Sequence, residues 1–337
     1  MGNTTIKILA KELNLSVASV SKALRDSHEI SHETKQKVLA LARKMNYVPN
    51  PYASSLRRRV SKTIAVVLPE VADSFFSLAI NGIESIAEER GYHVLIYLTH
   101  ESFAREKAIL NEFKSGRVDG ILISVSGETC DSSHIKEVAA EGIPVVFFDR
   151  ICEDIETARV VTDDFESGYV AAAHLIEKGC KKIAFLSTST SLSISNNRMQ
   201  GYKKALKDHK MKMSGHDIVL CGNDPDENYR IIKNLLKKKQ RPDGIIASVE
   251  KLTAAVYLAC KDLTLTIPKN VKLISFTNLP TALILNPPLT TITQPAFEMG
   301  KTAAAVLFTA LGKSNNELKE ETVVIPSTLT VRSSTGC

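Results

Sequence analysis

Between Ser16 and Arg25 the chain reads SVASVSKALR, and its side chains suit one kind of chemistry. Taken as a helix, the stretch buries Val20, Ala23 and Leu24 and turns Val17, Ala18, Ser21, Lys22 and Arg25 outward. Val17 and Ala18 are small apolar groups that can touch thymine methyls, and Lys22 can donate to guanine O6 and N7. Ser19, Ser21 and Arg25 can hold phosphates, contacts that fix register without reading sequence. This combination predicts a helix that enters the major groove of duplex DNA.

Such a helix needs neighbours to present it. Residues 5–13 carry Ile6, Leu9, Ala10 and Leu13 at helical spacing, and a tight turn follows at Asn14-Leu15. Ser16 is placed to cap the second helix, which is expected to run to about Asp26. A third helix starts at Ser31, a cap with Thr34 three positions on, and carries Val38, Leu41, Ala42 and Met45. Two helices joined by so short a turn make a helix-turn-helix. A small amphipathic three-helix domain could instead bind protein, and charge decides between the two. Residues 1–60 hold eleven Lys and Arg against four Asp and Glu, a net +7, whereas the whole chain is +6. The positive field sits on the head alone, as a polyanionic partner requires.

The rest of the composition bounds the possibilities. A length of 337 residues suggests two or three domains. No run of 18 apolar residues occurs, so no membrane span is expected. Residues 1–20 lack the apolar core and cleavage site of a secretory signal, so a cytoplasmic location is expected. The six cysteines are scattered without C-x-x-C or ligand-like His partners, and are expected to be reduced and structural. No metal and no cofactor is expected.

From Lys62 onward, short apolar runs alternate with amphipathic helices. Strands are expected at 63–69, 93–99, 119–124 and 143–149, with helices at 75–90, 103–114 and 132–141 between them. A second series follows, with strands at 158–163, 181–187, 217–221, 243–248 and 271–276. Helices at 166–178, 196–209, 226–239 and 250–262 separate these, and the tail adds a helix at 296–312 and strands at 322–326 and 328–333. Strands apolar throughout and separated by helices mean parallel sheets covered on both faces. The halves echo one another, RVDGILIS against RPDGIIAS and EGIPVVFF against NVKLISF. Neither half carries G-x-G-x-x-G, a Walker loop or G-x-S-x-G, and no catalytic constellation is evident. His174 and the pair Asp163-Asp164 are expected to be structural.

Several motifs together resemble the lactose-repressor (LacI/GalR) family of bacterial transcription regulators. They are Thr5-Ile6-Lys7, Ala10, Leu15-Ser16, Val20-Ser21, Asn46-Tyr47-Val48-Pro49-Asn50 and Ala53 to Leu56, and the likeness extends over nearly the whole chain. Ile8 departs from the usual Asp, and Asn14 from a common Gly, although Asn tolerates the left-handed backbone such a turn needs. The resemblance implies an α/β fold: an all-α helix-turn-helix head (1–49), a hinge helix and linker (50–61), and a core of two Rossmann-like lobes (62–337) resembling periplasmic binding proteins. It puts the N-lobe at about 62–160 plus 292–321 and the C-lobe at about 161–291 plus 322–333, with crossings near 161, 291 and 322. It implies DNA contacts at Thr5 and Ser16 as well as the outward face described above. In the hinge it implies contacts at Asn50, Tyr52, Ala53, Leu56 and Arg57, with Leu56 wedged into the minor groove. Residues 50–58 make barely two turns, too short to be helical without a brace of DNA and a partner's hinge.

The resemblance also implies a small-molecule effector, a sugar or sugar derivative, held in the cleft between lobes. Candidates just beyond strand ends are Asp73, Ser74 and Phe75, then Arg150 after Asp149, with Phe75 and Phe76 divided between ligand and core. Arg198 in NNRMQGY matches the family's R-x-x-G-[YF], and a guanidinium there can clamp a ligand by paired hydrogen bonds. Asn197, Asn223 and Gln294 are polar companions, the last in TTITQP. Two departures fall in the C-lobe half: Thr277 where the family usually has Asp, and Val249-Glu250 in place of [SN]-D. Two arginines with fewer acids point to an anionic ligand. The expected protein is a ligand-responsive, sequence-specific DNA-binding regulator, a repressor of carbohydrate-utilisation genes acting as a homodimer on a pseudo-palindromic operator. The alternative is a sugar-binding module of periplasmic-binding-protein type without DNA function, which the basic head opposes.

Overall fold

The computed structural model describes residues 5–47, 60–212, 217–313 and 318–336. The chain divides into two compact units, Met1–Ser61 and Lys62–Cys337. The expected hinge contacts at Asn50, Tyr52, Ala53, Leu56 and Arg57 lie outside the described residues.

In the small unit, α1 (Ile6–Glu12), α2 (Val17–Leu24) and α3 (His32–Lys44) enclose a core of Leu9, Ala10, Val20, Ala23, Val38 and Ala42. The turn between α1 and α2 is sharp because Asn14 takes a left-handed φ of 52° and Leu15 N–H donates back to the Ala10 carbonyl at 2.9 Å. Ser16 and Ser31 cap their helices by accepting from the amides of Ser19 and Thr34. The second helix ends at Leu24, two residues short of the expected Asp26, because Asp26 is itself left-handed (φ 55°).

The large unit contains two six-stranded sheets. Its elements are β1 (Thr63–Leu68), α4 (Ser74–Glu89), β2 (His93–Leu98), α5 (Phe103–Phe113), β3 (Gly120–Ile123), α6 (Ser133–Ala140), β4 (Val145–Phe148), β5 (Arg159–Thr162) and α7 (Asp164–Glu177). There follow β6 (Ile183–Ser187), α8 (Ser193–Asp208), β7 (Ile218–Leu220), α9 (Pro225–Lys237), β8 (Gly244–Ala247), α10 (Thr253–Asp262) and β9 (Lys272–Phe276). The last are β10 (Thr290–Thr293), α11 (Ala296–Leu311), β11 (Thr322–Ile325) and β12 (Thr328–Thr330). The first sheet runs β11-β5-β4-β3-β1-β2, parallel throughout; the second runs β12-β10-β9-β8-β6-β7, parallel except for β12. The echoed segments therefore hold equivalent places, β3 with β8 and β4 with β9. Each sheet buries apolar residues on both faces, which explains strands without alternation.

The crossings fall later than 161, 291 and 322. Strand β5 pairs with β4 (Phe147 opposite Arg159) and β11 pairs with β5 (Val323 opposite Val160), so both belong to the first lobe. Likewise β10 pairs with β9 and belongs to the second lobe, to which the chain returns only for β12. The passages come at residues 163, 294–295 and 326–327: the first two follow the fifth strand of each sheet, β5 and β10, and the third follows β11, the sixth strand of the first. An apolar strand reads alike into either sheet, so sequence pattern does not mark the switch.

Candidate functional site

In the head, α2 presents the face anticipated from its sequence. Val17 is 43% exposed, whereas Val20 and Ala23 are buried. Ser16 combines its cap role with an exposed hydroxyl, and Thr5, Ala18 and Arg25 are exposed while Ser19, Ser21 and Lys22 are half-buried. Lys22 pairs with Glu29, and Arg25 donates to the Ser21 carbonyl at 3.0 Å and hydroxyl at 3.1 Å. The pair is exposed and screened by solvent, so Lys22 can exchange its carboxylate for an acceptor on a base.

In the large unit, the ends of β1, β4, β8 and β9 face one another across the lobes. Asp73, Phe75, Phe76, Asp149, Arg150, Arg198, Glu250, Thr277 and Gln294 line one small cavity there. The cavity measures about 30 Å³, so a sugar fits only when the lobes part. Phe75 and Phe76 meet edge to face with ring centres 5.3 Å apart; both line the cavity and both belong to the core, where one of each was expected.

The two arginines are held differently. Arg150 Nη1 donates to both carboxylate oxygens of Glu101, at 3.0 and 2.8 Å, while its Nε has no hydrogen-bond partner. Burial would raise the Glu101 carboxyl, but the Arg150 guanidinium overcomes it and holds the group below its ordinary range. Arg198 Nε donates to Asp164 at 2.7 Å and its Nη1 to the Ser248 carbonyl at 2.7 Å; its guanidinium lies 4.4 Å over the Phe276 ring. Arg198 Nη2 is buried and has no hydrogen-bond partner. A buried donor without a partner is costly, and this one lies beside the cavity.

The carboxylates outnumber the arginines, contrary to the expectation of an acid-poor cleft. Asp73 caps α4, accepting from Phe75 N–H at 2.9 Å. Burial, then the nearby Glu250 charge, pushes its carboxyl up to about 6. Asp149, at a left-handed φ of 62°, is pushed up to about 6 by burial, against the pull of Arg150 and Arg198. Its oxygens accept long hydrogen bonds from Ser124 Oγ (3.4 Å) and Gln294 Nε2 (3.5 Å). Glu250 bridges the lobes: it accepts from Ser74 N–H at 3.0 Å and the Ser74 hydroxyl on one side, and from Thr277 Oγ1 at 2.5 Å and Asn278 N–H at 3.3 Å on the other. Ser74 N–H opens α4, so this carboxylate also meets the positive end of the helix. Thr277 thus donates to Glu250, the carboxylate that stands at this end of the cavity.

Two expected companions stand outside this cavity. Asn197 is exposed and borders a separate open recess of about 420 Å³, because neighbours on a helix point about 100° apart and Arg198 takes the inward direction. Asn223 is exposed and accepts from Lys251 Nζ at 2.7 Å; it follows β7, the edge strand, and does not line the cavity. Sequence reading missed Glu101, expected Asp164 to be structural without naming Arg198 as its partner, and marked Glu250 only as a departure. The strand-end position of Val249-Glu250 was the available signal.

Asp149→Asn is expected to raise the urea midpoint at pH 7.5 by an amount equivalent to about 1–3 kcal/mol. An unfolded Asp titrates near 3.8 and the folded one near 6, so the folded chain binds more protons between those values. The contribution of Asp149 to stability therefore rises as pH falls from 7 to 4, and the variant loses that share of the slope while Asp73's remains. An unchanged slope in the variant would place the proton uptake elsewhere.

A helix-turn-helix with an exposed reading face thus shares a chain with a two-lobed core whose strand ends converge on an arginine and acid cleft. Residues 5–50 match a model of bacterial regulatory proteins of the lacI family, and residues 172–335 match a periplasmic binding protein-like domain. The HTH-type transcriptional regulator DegA of Bacillus subtilis (strain 168) is 30% identical over 336 residues, covering 99% of this chain and 98% of that one. The chain belongs to the lacI family. It is a DNA-binding transcription regulator, and its relatives are regulators of the same kind. The ribose operon repressor of Haemophilus influenzae is 28% identical over 330 residues, 98% of each chain. The lac repressor dimer bound to operator and the anti-inducer ONPF shares the fold, with a TM-score of 0.85 over all of both chains at 20% identity. Among the described residues of this lacI-family chain, no helix is long and apolar enough to cross a membrane.

Proposed function

We propose that this regulator is a cytoplasmic repressor of carbohydrate-utilisation genes, without catalytic activity, whose effector is a sugar or sugar derivative. It binds a pseudo-palindromic operator as a homodimer. The observation that carries the effector reading is the buried, unpartnered Nη2 of Arg198 beside the Asp149 carboxylate: one hydroxylated ligand can accept from the first and donate to the second. Relatives named for the ribose operon agree with it. Dimerisation is supported by apolar side chains left exposed on the core, notably Leu258, Leu283 and Ile284, the last 80% exposed.

In this reading the domains are a head at 1–49, a hinge and linker at 50–61 and a core at 62–337. Thr5, Ser16, Val17, Ala18, Ser19, Ser21, Lys22 and Arg25 meet DNA, together with Asn50, Tyr52, Ala53, Leu56 and Arg57 of the hinge. Effector binding favours one lobe arrangement, and a few kcal/mol of differential affinity suffices to change whether two short hinge helices can form side by side.

The test is selection from random duplexes with the full chain, followed by fluorescence anisotropy with and without sugars. A palindrome with half-sites one helical turn apart is expected, with affinity altered by a sugar. Lys22→Ala should relax preference at one base pair in each half-site, at about 1–3 kcal/mol. Selection of no common sequence would overturn the reading.

A further inference from the structure

The cleft has a charge imbalance that its protein groups do not resolve. Asp73, Asp149 and Glu250 line the cavity, and Glu101 and Asp164 stand directly behind its two arginines. Five carboxylates thus face two guanidiniums. Arg150 is committed to Glu101, and Arg198 to Asp164. Glu250 is satisfied by four neutral donors. Asp73 and Asp149 have no hydrogen-bonded cation: Asp73 accepts from a backbone amide, and Asp149 only from Ser124 and Gln294, with Arg150 Nε 3.8 Å from its Oδ2. Lys251, which follows Glu250, donates to Asn223 outside the cavity and reaches the cluster only through its charge on Glu101.

We infer that the effector carries a protonated amine on a hydroxylated frame, the chemistry of an amino sugar, with the ammonium directed at Asp73 and Asp149 and ring or hydroxyl oxygens accepting from Arg198. The inference rests on the cleft being the effector site proposed above. Each part of such a ligand answers a group on the wall. An ammonium offers three donors and a charge, which buried carboxylates require to stay ionised. Its oxygens answer Arg198 Nη2 and Arg150 Nε, buried arginine donors of the cavity wall without hydrogen-bond partners. A neutral sugar answers the hydrogen bonds and leaves the charge; a sugar acid or sugar phosphate adds a like charge to a site already in excess. The upward displacement of both carboxyls records the same shortage of positive charge.

The experiment is isothermal titration calorimetry of the full chain at pH 7 with glucosamine, galactosamine and mannosamine. Each is compared with its parent hexose, its N-acetyl form, which keeps the frame and removes the charge, and the corresponding hexonic acid. At least one amino sugar is expected to bind about tenfold or more tightly than its parent and N-acetyl forms. Asp149→Asn or Asp73→Asn should reduce that preference. A parent hexose or sugar acid that binds as tightly as the amine overturns the inference and leaves the sugar reading standing. A preference that survives in both Asp variants overturns the assignment of the ammonium to these residues. Binding by none of the compounds overturns the inference, and the sugar reading is then decided by the anisotropy measurement with other sugars.

Discussion

Arg198→Ala is expected to destabilise the core by about 3–5 kcal/mol and to abolish effector binding. The side chain is 3% exposed, and it is the hydrogen-bonded cation of Asp164, itself 5% exposed. Burial already raises the Asp164 carboxyl against the pull of Arg198. Without the guanidinium that carboxyl must either remain charged in a dry site or take up a proton. The Ser248 carbonyl loses its donor and the Phe276 ring its cation at the same time. The double variant Arg198→Ala/Asp164→Asn removes the stranded charge and is expected to recover much of the stability and none of the ligand affinity. Denaturation in urea and calorimetric titration separate the two effects. A single variant within about 1 kcal/mol of wild type would show that the pair is solvated.

The way Arg198 became visible in the sequence says what a sequence can carry. It sits in a local motif, Arg198 with Gly201 three residues on, and its role needs only its own helix to be recognised. Gln294 was legible for the same reason. Central strands β3 and β8 were legible because burial on both faces leaves no polar positions, and their near-repeat marked the two lobes before any sheet was seen. The Asn14 turn was legible because few residues accept a left-handed backbone. Glu101 was illegible, and the bridging contacts of Glu250 were too, because nothing beside them in the chain requires them: their partners Arg150 and Ser74 lie 49 and 176 positions away. Strand β10 was missed because its Thr290-Thr291-Ile292-Thr293 looks polar, yet it runs between β9 and β12 with all but Thr293 buried. The lobe crossings failed for a different reason, since β5 and β10 carry no mark of the sheet they join.

Gly201→Ala is expected to cost about 3 kcal/mol or more, and Gly168→Ala about as much, because the strain falls on backbone. A Cβ on Gly201 would lie 1.9 Å from the Phe165 carbonyl oxygen and 2.7 Å from the Tyr169 nitrogen; a Cβ on Gly168 would lie 2.1 Å from the Arg198 carbonyl oxygen. Neither contact can be relieved by turning a side chain. The helices α7 and α8 must separate, and Arg198 rides on the second while Asp164 opens the first. The substitution therefore also pulls apart the buried ion pair that faces the cleft, so ligand affinity is expected to fall with stability. The first lobe repeats the device: a Cβ on Gly82 would meet the Phe297 oxygen at 2.1 Å, and one on Gly300 the Ala79 oxygen at 2.0 Å. There α4 crosses α11, and α4 carries Asp73 and Ser74 at its start, so the same construction fixes the opposite wall. Gly312→Ala is the control, since its Cβ would meet nothing nearer than 3.5 Å and its φ of −80° suits any residue. Urea midpoints for the three variants decide the matter: Gly201→Ala and Gly168→Ala falling far below Gly312→Ala is the expected order. Equal midpoints would mean that the helices can part without loss, and that the R-x-x-G spacing reflects something other than close approach.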